Sequence, residues 1–245
     1  MNAEKSTKNG TMKGTNGLTN SKKRMEKKGN MYEFVDRTWN PLGGECPHRC
    51  SYCSTNSLKR FPLIRRKYSG APCIDLHAFE KMTWRNQRVF VVAQNDLFAE
   101  GVPDEIINLI LERCRVFPND YFFQTKNPSR IDGFMLPERA TVCTTIETNR
   151  HYKEMMKDSP TPYVRSLGMY CIDKPKHLTI EPIMDFDLIP FVEMIKTCNV
   201  EQVNIGADSK RNNLPEPSKE KIEALIKELE KFATVHIKSN LKRLL

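Results

Sequence analysis

Three cysteines within one short loop, Cys46, Cys50 and Cys53, are the residues of this sequence best placed to do chemistry. The run Glu45-Cys46-Pro47-His48-Arg49-Cys50-Ser51-Tyr52-Cys53 spaces them as C-x3-C-x2-C. Three soft thiolates this close can wrap one inorganic cluster. Iron–sulfur clusters are usually held by four thiolates, so three leave one iron with an open position at which a reaction can occur. Two other readings stay open on spacing alone. His48 would complete a three-Cys, one-His zinc site, although one short loop ordinarily supplies only two zinc ligands. A set of reduced, buried thiols is the third, and three so close together would be unusual. The remaining cysteines, Cys73, Cys114, Cys143, Cys171 and Cys198, are widely scattered. Cys114 and Cys198 fall on apolar helix faces and Cys143 in a strand, so ordinary burial is expected of this group. One cluster and no auxiliary cluster is the expectation. Gly43 and Gly44 ahead of the loop either let the backbone approach the cluster closely or serve a plain turn.

A second set of polar residues recurs at regular places. Apolar runs read as strands at 88–93, 121–125, 141–146, 177–180, 202–205 and 234–237, with a weaker first strand near Tyr32 to Val35. Directly after them come Gln94, Asn95 and Asp96; Gln124 and Lys126; Glu147; Glu181; Asp208; and Lys238 and Asn240. In a parallel barrel the loops at the C-terminal strand ends converge on one mouth, so groups placed there meet. Between the strands lie helical stripes. One holds Ile106, Ile107, Ile110, Leu111 and Cys114 after Pro103–Asp104. Another holds Leu188, Phe191, Val192, Ile195 and Cys198 after a capping Asp187. A third holds Ile222, Leu225, Ile226 and Leu229 after Pro217–Ser218. The region from Arg150 to Asp173 accommodates a helix or two. Six or seven strands alternating with helices predict a parallel α/β sheet, barrel-like or doubly wound.

The chain has 245 residues, 39% hydrophobic and 28% charged, with a formal net charge of +9. Residues 1–30 carry eight Lys or Arg against two acids and few large apolar groups, and are read as a disordered basic N-terminal tail. The folded domain is expected over 31–245. No apolar stretch approaches a membrane span and no secretory signal is apparent, so the cytoplasm is the expected location. The positive charge permits a polyanionic partner.

C-x3-C-x2-C with an aromatic, Tyr52, just before the last Cys resembles the signature of the radical S-adenosylmethionine (SAM) superfamily. The resemblance implies a partial (β/α)6-type TIM barrel over 31–245. It also implies one 4Fe-4S cluster on Cys46, Cys50 and Cys53, with SAM chelating the fourth iron. Reductive cleavage of SAM would then give methionine and a 5′-deoxyadenosyl radical, with electrons from a donor such as a flavodoxin or ferredoxin. Under this resemblance Tyr52, Asn95, Asp96, Glu147 and Asp208 are the candidate cofactor-binding residues, and Lys126, Glu181 and Lys238 the candidate catalytic ones. A narrower resemblance, to a phage-associated radical SAM-like family of unknown function, covers nearly all of 36–240. It is carried by Thr38-Trp39-Asn40-Pro41, Asp96-Leu97-Phe98, Gln124-Thr125-Lys126-Asn127-Pro128, Ile180-Glu181-Pro182 and Ile237-Lys238. The chain departs from that family at Ala93-Gln94 and at Gly206-Ala207-Asp208. The basic tail and this resemblance motivate a nucleic acid or modified nucleotide as substrate, with a small metabolite or peptide as the alternative. A zinc-stabilised nucleic-acid-binding module without SAM chemistry is the rival function.

Overall fold

The structure, a computed structural model, describes Met1 and residues 32–245. The basic tail expected over 1–30 therefore lies, Met1 apart, outside the described residues.

Strands and helices alternate along the chain. They begin with β1 (Arg37–Trp39), β2 (Leu42–Gly43), α1 (Ser54–Leu58), α2 (Pro62–Lys67), β3 (Cys73–Ile74) and α3 (Leu76–Glu80). The regular part follows as β4 (Arg88–Val91), α4 (Asp104–Val116), β5 (Asp120–Thr125) and β6 (Ala140–Thr145). It continues through α5 (Lys153–Met156), α6 (Pro162–Tyr170), β7 (Lys176–Ile180), α7 (Leu188–Thr197), β8 (Gln202–Ile205), α8 (Lys219–Leu229) and β9 (Thr234–Ile237). Seven strands form one sheet in the order β1-β4-β5-β6-β7-β8-β9, every neighbouring pair parallel. The parallel α/β architecture read from the sequence is the one observed.

Side-chain alternation gives the sheet two different faces. Val89, Val91, Phe123, Val142, Leu178, Val203 and Ile205 belong to one large core that includes Ile107, Ile110, Phe191, Ile195, Ile222 and Leu225 from α4, α7 and α8. The opposite face carries three sets of register partners: Phe90 with Phe122, Cys143 with His177, and Thr179 with Asn204 and His236. This interior is half polar, which the near-continuous apolar reading of the strands did not anticipate. Its open lower part is filled by the segment before β1. Tyr32 and Phe34 stack at 5.3 Å and both meet the Phe122 ring edge-on at 5.1 Å.

Five details differ from the sequence reading. The first strand is Arg37–Trp39, because Tyr32–Val35 closes a turn (Val35 N–H to Tyr32 C=O, 3.1 Å) and acts as the aromatic plug. A short antiparallel pair, β2 with β3, was not expected. The β5–β6 crossover is a 3-10 turn over Pro128–Gly133. Cys73 and Cys171 are exposed, against the burial expected of the scattered cysteines, while Cys114, Cys143 and Cys198 are buried. Arg150–Asp173 holds two helices, as anticipated. Asp187 stands at the N-cap of α7 without capping it, because its carboxylate is taken by Arg150. Among the described residues no helix is long and apolar enough to cross a membrane.

Candidate active site

Cys46, Cys50 and Cys53 all line one cavity of about 450 Å³, bounded also by the segments that follow β4, β5, β7, β8 and β9. That volume is in the range of small-molecule sites. The loop is fixed at its root by Gly44, whose φ of +84° is open to glycine, and whose place leaves no room for a side chain: a Cβ there would lie 2.3 Å from the Ala71 carbonyl oxygen. Around it the Gly44 N–H donates to Lys67 C=O (2.8 Å), Glu45 N–H to Gly70 C=O (2.8 Å) and Asn95 Nδ2 to Gly44 C=O (3.0 Å).

The middle of the loop is held by Asp96. His48 is buried and its Nε2 lies 2.9 Å from Asp96 Oδ2, so it supports the loop from below and is not solvent-facing. The same carboxylate accepts from Lys126 N–H (2.7 Å), Thr125 Oγ1 (2.7 Å) and Phe98 N–H (3.1 Å). Burial opposes its charge, but His48 and these donors hold the Asp96 pKa below the usual carboxylate value. Cys50 is buried among Met156, Met184 and Leu214, and its thiol donates to Met156 C=O at 3.6 Å.

Behind the cysteines lies a buried ionic network. Lys126 Nζ donates to Glu147 Oε1 (2.6 Å) and Tyr52 Oη (2.8 Å) and stands 3.5 Å from Cys50 Sγ. Tyr52 Oη donates to Glu147 Oε1 at 2.7 Å. Arg165, fully buried, donates through Nη1 to Glu147 Oε2 at 2.8 Å and is further held by Thr145 C=O, Pro160 C=O and Ser159 Oγ. Burial would raise the Glu147 pKa, yet Arg165 and Lys126 hold it down at about 2. Two cations against one carboxylate leave an excess positive charge beside Cys50.

At the other end of the cavity, Lys238 Nζ donates to Glu181 Oε2 (2.6 Å) and lies 4.4 Å from the centre of the Tyr32 ring. Asn240 Nδ2 donates to Glu181 Oε1 at 2.9 Å. Asp208 organises the loop after β8, accepting from Lys210 N–H (3.0 Å), Asn212 Nδ2 (2.7 Å) and the Asn212 N–H. Gln124 accepts from Tyr32 Oη (2.9 Å) and donates to Thr145 Oγ1 (3.0 Å). Of the residues singled out in the sequence, Tyr52, Asn95, Asp96, Lys126, Glu181, Asp208 and Lys238 line the cavity beside the cysteines, while Glu147 lies behind its wall. Arg165 and Tyr32 were missed. An arginine inside an otherwise apolar helix was the one available signal for the first.

No protein-family model matches the sequence, and no curated protein is similar to it. Solved structures do match by shape. A spore photoproduct lyase variant with bound AdoMet and dinucleoside spore photoproduct superposes with a TM-score of 0.57 at 10% identity, over 88% of this chain and 79% of that one. The architecture shared with that structure is a parallel α/β fold, a partial TIM barrel. Streptococcus suis SuiB bound to the precursor peptide SuiA matches with a TM-score of 0.51 at 8% identity, over 82% of this chain. The chain spans about half of SuiB, 48% of its length. At these identities the likeness is one of fold.

The residues present suit an iron–sulfur cluster. The donor set is three soft thiols on one cavity wall, with the excess cation of the Lys126–Glu147–Arg165 network beside them to offset the negative charge of thiolate–iron coordination. Burial, reinforced by the Asp96 carboxylate, pushes the Cys46 thiol up to about 12, and coordination to a metal is what would deprotonate it. His48, which a three-Cys, one-His zinc site requires, gives Nε2 to Asp96 and keeps only Nδ1 for a metal.

Proposed function

We propose that this chain is a radical SAM enzyme in which Cys46, Cys50 and Cys53 bind a 4Fe-4S cluster at the mouth of the barrel. The observation that carries the reading is the three-thiol loop opening on a cavity at the C-terminal strand ends, over a buried network with one excess positive charge. When bound, the cluster supplies the electron that splits SAM at the sulfur–C5′ bond, giving methionine and a 5′-deoxyadenosyl radical. The fold supports the reading, since the spore photoproduct lyase structure with the same architecture holds AdoMet.

The chain's own residues divide the work by position. Tyr52 and Asn95 line the cavity and are assigned to SAM, while Asp208, its carboxylate taken by Lys210 and Asn212, acts on the cofactor by positioning the loop after β8. Asp96 and Glu147 have their oxygens engaged by protein donors, so they act on the cofactor by positioning. Asp96 orients His48 and the cysteine loop; Glu147 orients Tyr52 and Lys126. Lys126 presents its ammonium between Tyr52 and Cys50, where it would meet an anionic group of cofactor or substrate. Glu181 and Lys238, at the far end, are assigned to the substrate. A donor such as a flavodoxin or ferredoxin would deliver the electron. A reducing, cytoplasmic setting suits eight free cysteines. The substrate class we favour is a nucleic acid or modified nucleotide, supported by the surplus of basic residues. The sequence motifs around Trp39, Asp96, Lys126 and Glu181 keep the phage-associated family as the narrower assignment.

Anaerobic reconstitution with iron and sulfide, followed by SAM and a chemical reductant, is the test. The expected result is bound iron with a visible thiolate–iron absorbance and formation of 5′-deoxyadenosine, both lost in Cys50→Ala. Zinc alone in the reconstituted protein, or iron without 5′-deoxyadenosine, would defeat the assignment.

A further inference from the structure

The positive charge of this chain is concentrated in two places. Of 39 Lys and Arg and 30 Asp and Glu, residues 1–30 hold eight bases and two acids, and residues 46–74 hold six bases and no acid. Everything else holds 25 bases and 28 acids, a slightly acidic remainder. The second basic stretch is the cysteine loop with the arm that follows it, α1 and α2.

That arm is built into the cavity. Leu58, Lys59 and Tyr68 line it, and the Lys67 and Gly70 carbonyls clamp the backbone just before Cys46. Lys59 and Lys67 are paired, with Glu45 (3.2 Å) and Asp75 (2.7 Å). Arg60, Arg65 and Arg66 are exposed and have no acidic partner among the described residues. Beside them Phe61 is 49% exposed, with the Arg60 guanidinium 4.9 Å from its ring centre. Leu63 is 80% exposed and shares its helix face with Arg66 and Lys67, three and four residues on. Across the cavity, Lys210 adds a further exposed cation.

We propose that the α1–α2 arm is a binding site for single-stranded nucleic acid, with Arg60, Arg65 and Arg66 on successive phosphates and Phe61 stacked on a base, so that an adjoining nucleotide enters the cavity. The site deepens the substrate class favoured above and to that extent rests on that reading. Unpaired cations interleaved with an exposed aromatic are what a single strand uses, because its phosphates and its base faces are both available. A duplex hides the base faces. An anionic membrane surface would favour a helix with its charged and apolar faces apart, and α2 carries both on one face.

Binding is measured by fluorescence anisotropy on the reconstituted full-length protein, using fluorescein-labelled dT and rU 12-mers across a series of salt concentrations. The variants are R60Q/R65Q/R66Q and Phe61→Ala, each checked for wild-type iron content and thermal midpoint. Affinity should fall with salt, and the triple variant should lower the log–log slope by about 2, at roughly 0.7 per lost phosphate contact. Phe61→Ala should weaken binding at least about five-fold with the slope unchanged. Because residues 1–30 are present throughout, identical curves for wild type and triple variant would overturn the proposal in favour of the tail. Absence of oligonucleotide binding would overturn it as well, and so would variant-sensitive binding to phosphatidylcholine–phosphatidylglycerol vesicles without oligonucleotide binding. The assay needs no turnover. Lost binding with intact 5′-deoxyadenosine formation therefore removes only the strand site, and intact binding without 5′-deoxyadenosine removes only the radical chemistry.

Discussion

The two oxygens of Asp96 have four partners, two on each, and two of the four, the backbone N–H groups of Phe98 and Lys126, cannot reverse their role. Oδ1 takes Thr125 Oγ1 and the Phe98 N–H; Oδ2 takes the Lys126 N–H and His48 Nε2. An Asp96→Asn substitution keeps the shape but must turn its NH2 toward one backbone N–H whichever way the amide lies. Each buried donor left unsatisfied costs about 1–3 kcal/mol. The variant is therefore expected to unfold at lower urea and to bind less iron on reconstitution, since His48 no longer fixes the cysteine loop. Wild-type stability and iron content in Asp96→Asn would disprove the positioning role. The sequence made this residue visible as a polar group after an apolar run, as it did Lys126 and Glu147. What it could not convey is that these groups bond to one another, because the partner that completes them, Arg165, comes from a helix whose pattern predicts only burial.

Among the elements, the short β2–β3 pair has the largest effect for its size. It carries the chain from β1 into the cysteine loop and brings residues 67–71 against Gly44. Gly44→Ala combines a left-handed φ of +84° with a Cβ 2.3 Å from a backbone oxygen, so the arm and the loop root must separate. Left-handed strain alone costs about 1–3 kcal/mol, and the clash adds to it. Gly70→Ala is the matched control: its φ is +79° but nothing lies within 4 Å of the added carbon. The expected outcome is loss of iron binding in Gly44→Ala with a milder loss of stability and retained iron in Gly70→Ala, read by iron analysis and thermal melts. Equal iron content in the two would show that the close approach does not matter. The long strands were legible because one face of each is covered by α4, α7 or α8 and reads as an apolar run. β2 and β3 are two residues each, too short for any period, and the plug at Tyr32 to Val35 has the aromatic composition of a strand without its pairing.

The molecule as a whole is a barrel wall with an apolar outside and a mixed inside, and the inside makes its stability depend on pH. His177 sits on that inner face with the Phe34 and Phe122 ring centres each 5.7 Å away, and its Nδ1 is buried without a partner. Burial lowers its pKa from 6.5 to about 4. Between those values the unfolded chain binds a proton that the native imidazole refuses, so stability is complete above pH 6.5 and falls as the pH drops toward 4. At about 1.4 kcal/mol per unit, the shift corresponds to about 3 kcal/mol in all, of which about 2 kcal/mol is lost between roughly pH 7.5 and pH 5. Carboxylates add most of their own dependence below that window, which leaves the upper part to His177. Urea unfolding of wild type and His177→Gln at the two pH values separates the contributions. The wild type should lose about 2 kcal/mol more than the variant over that interval. A variant that loses as much as the wild type would mean that His177 is protonated inside the barrel, and that the interior among Tyr32, Phe34 and Phe122 is wetter than its packing implies.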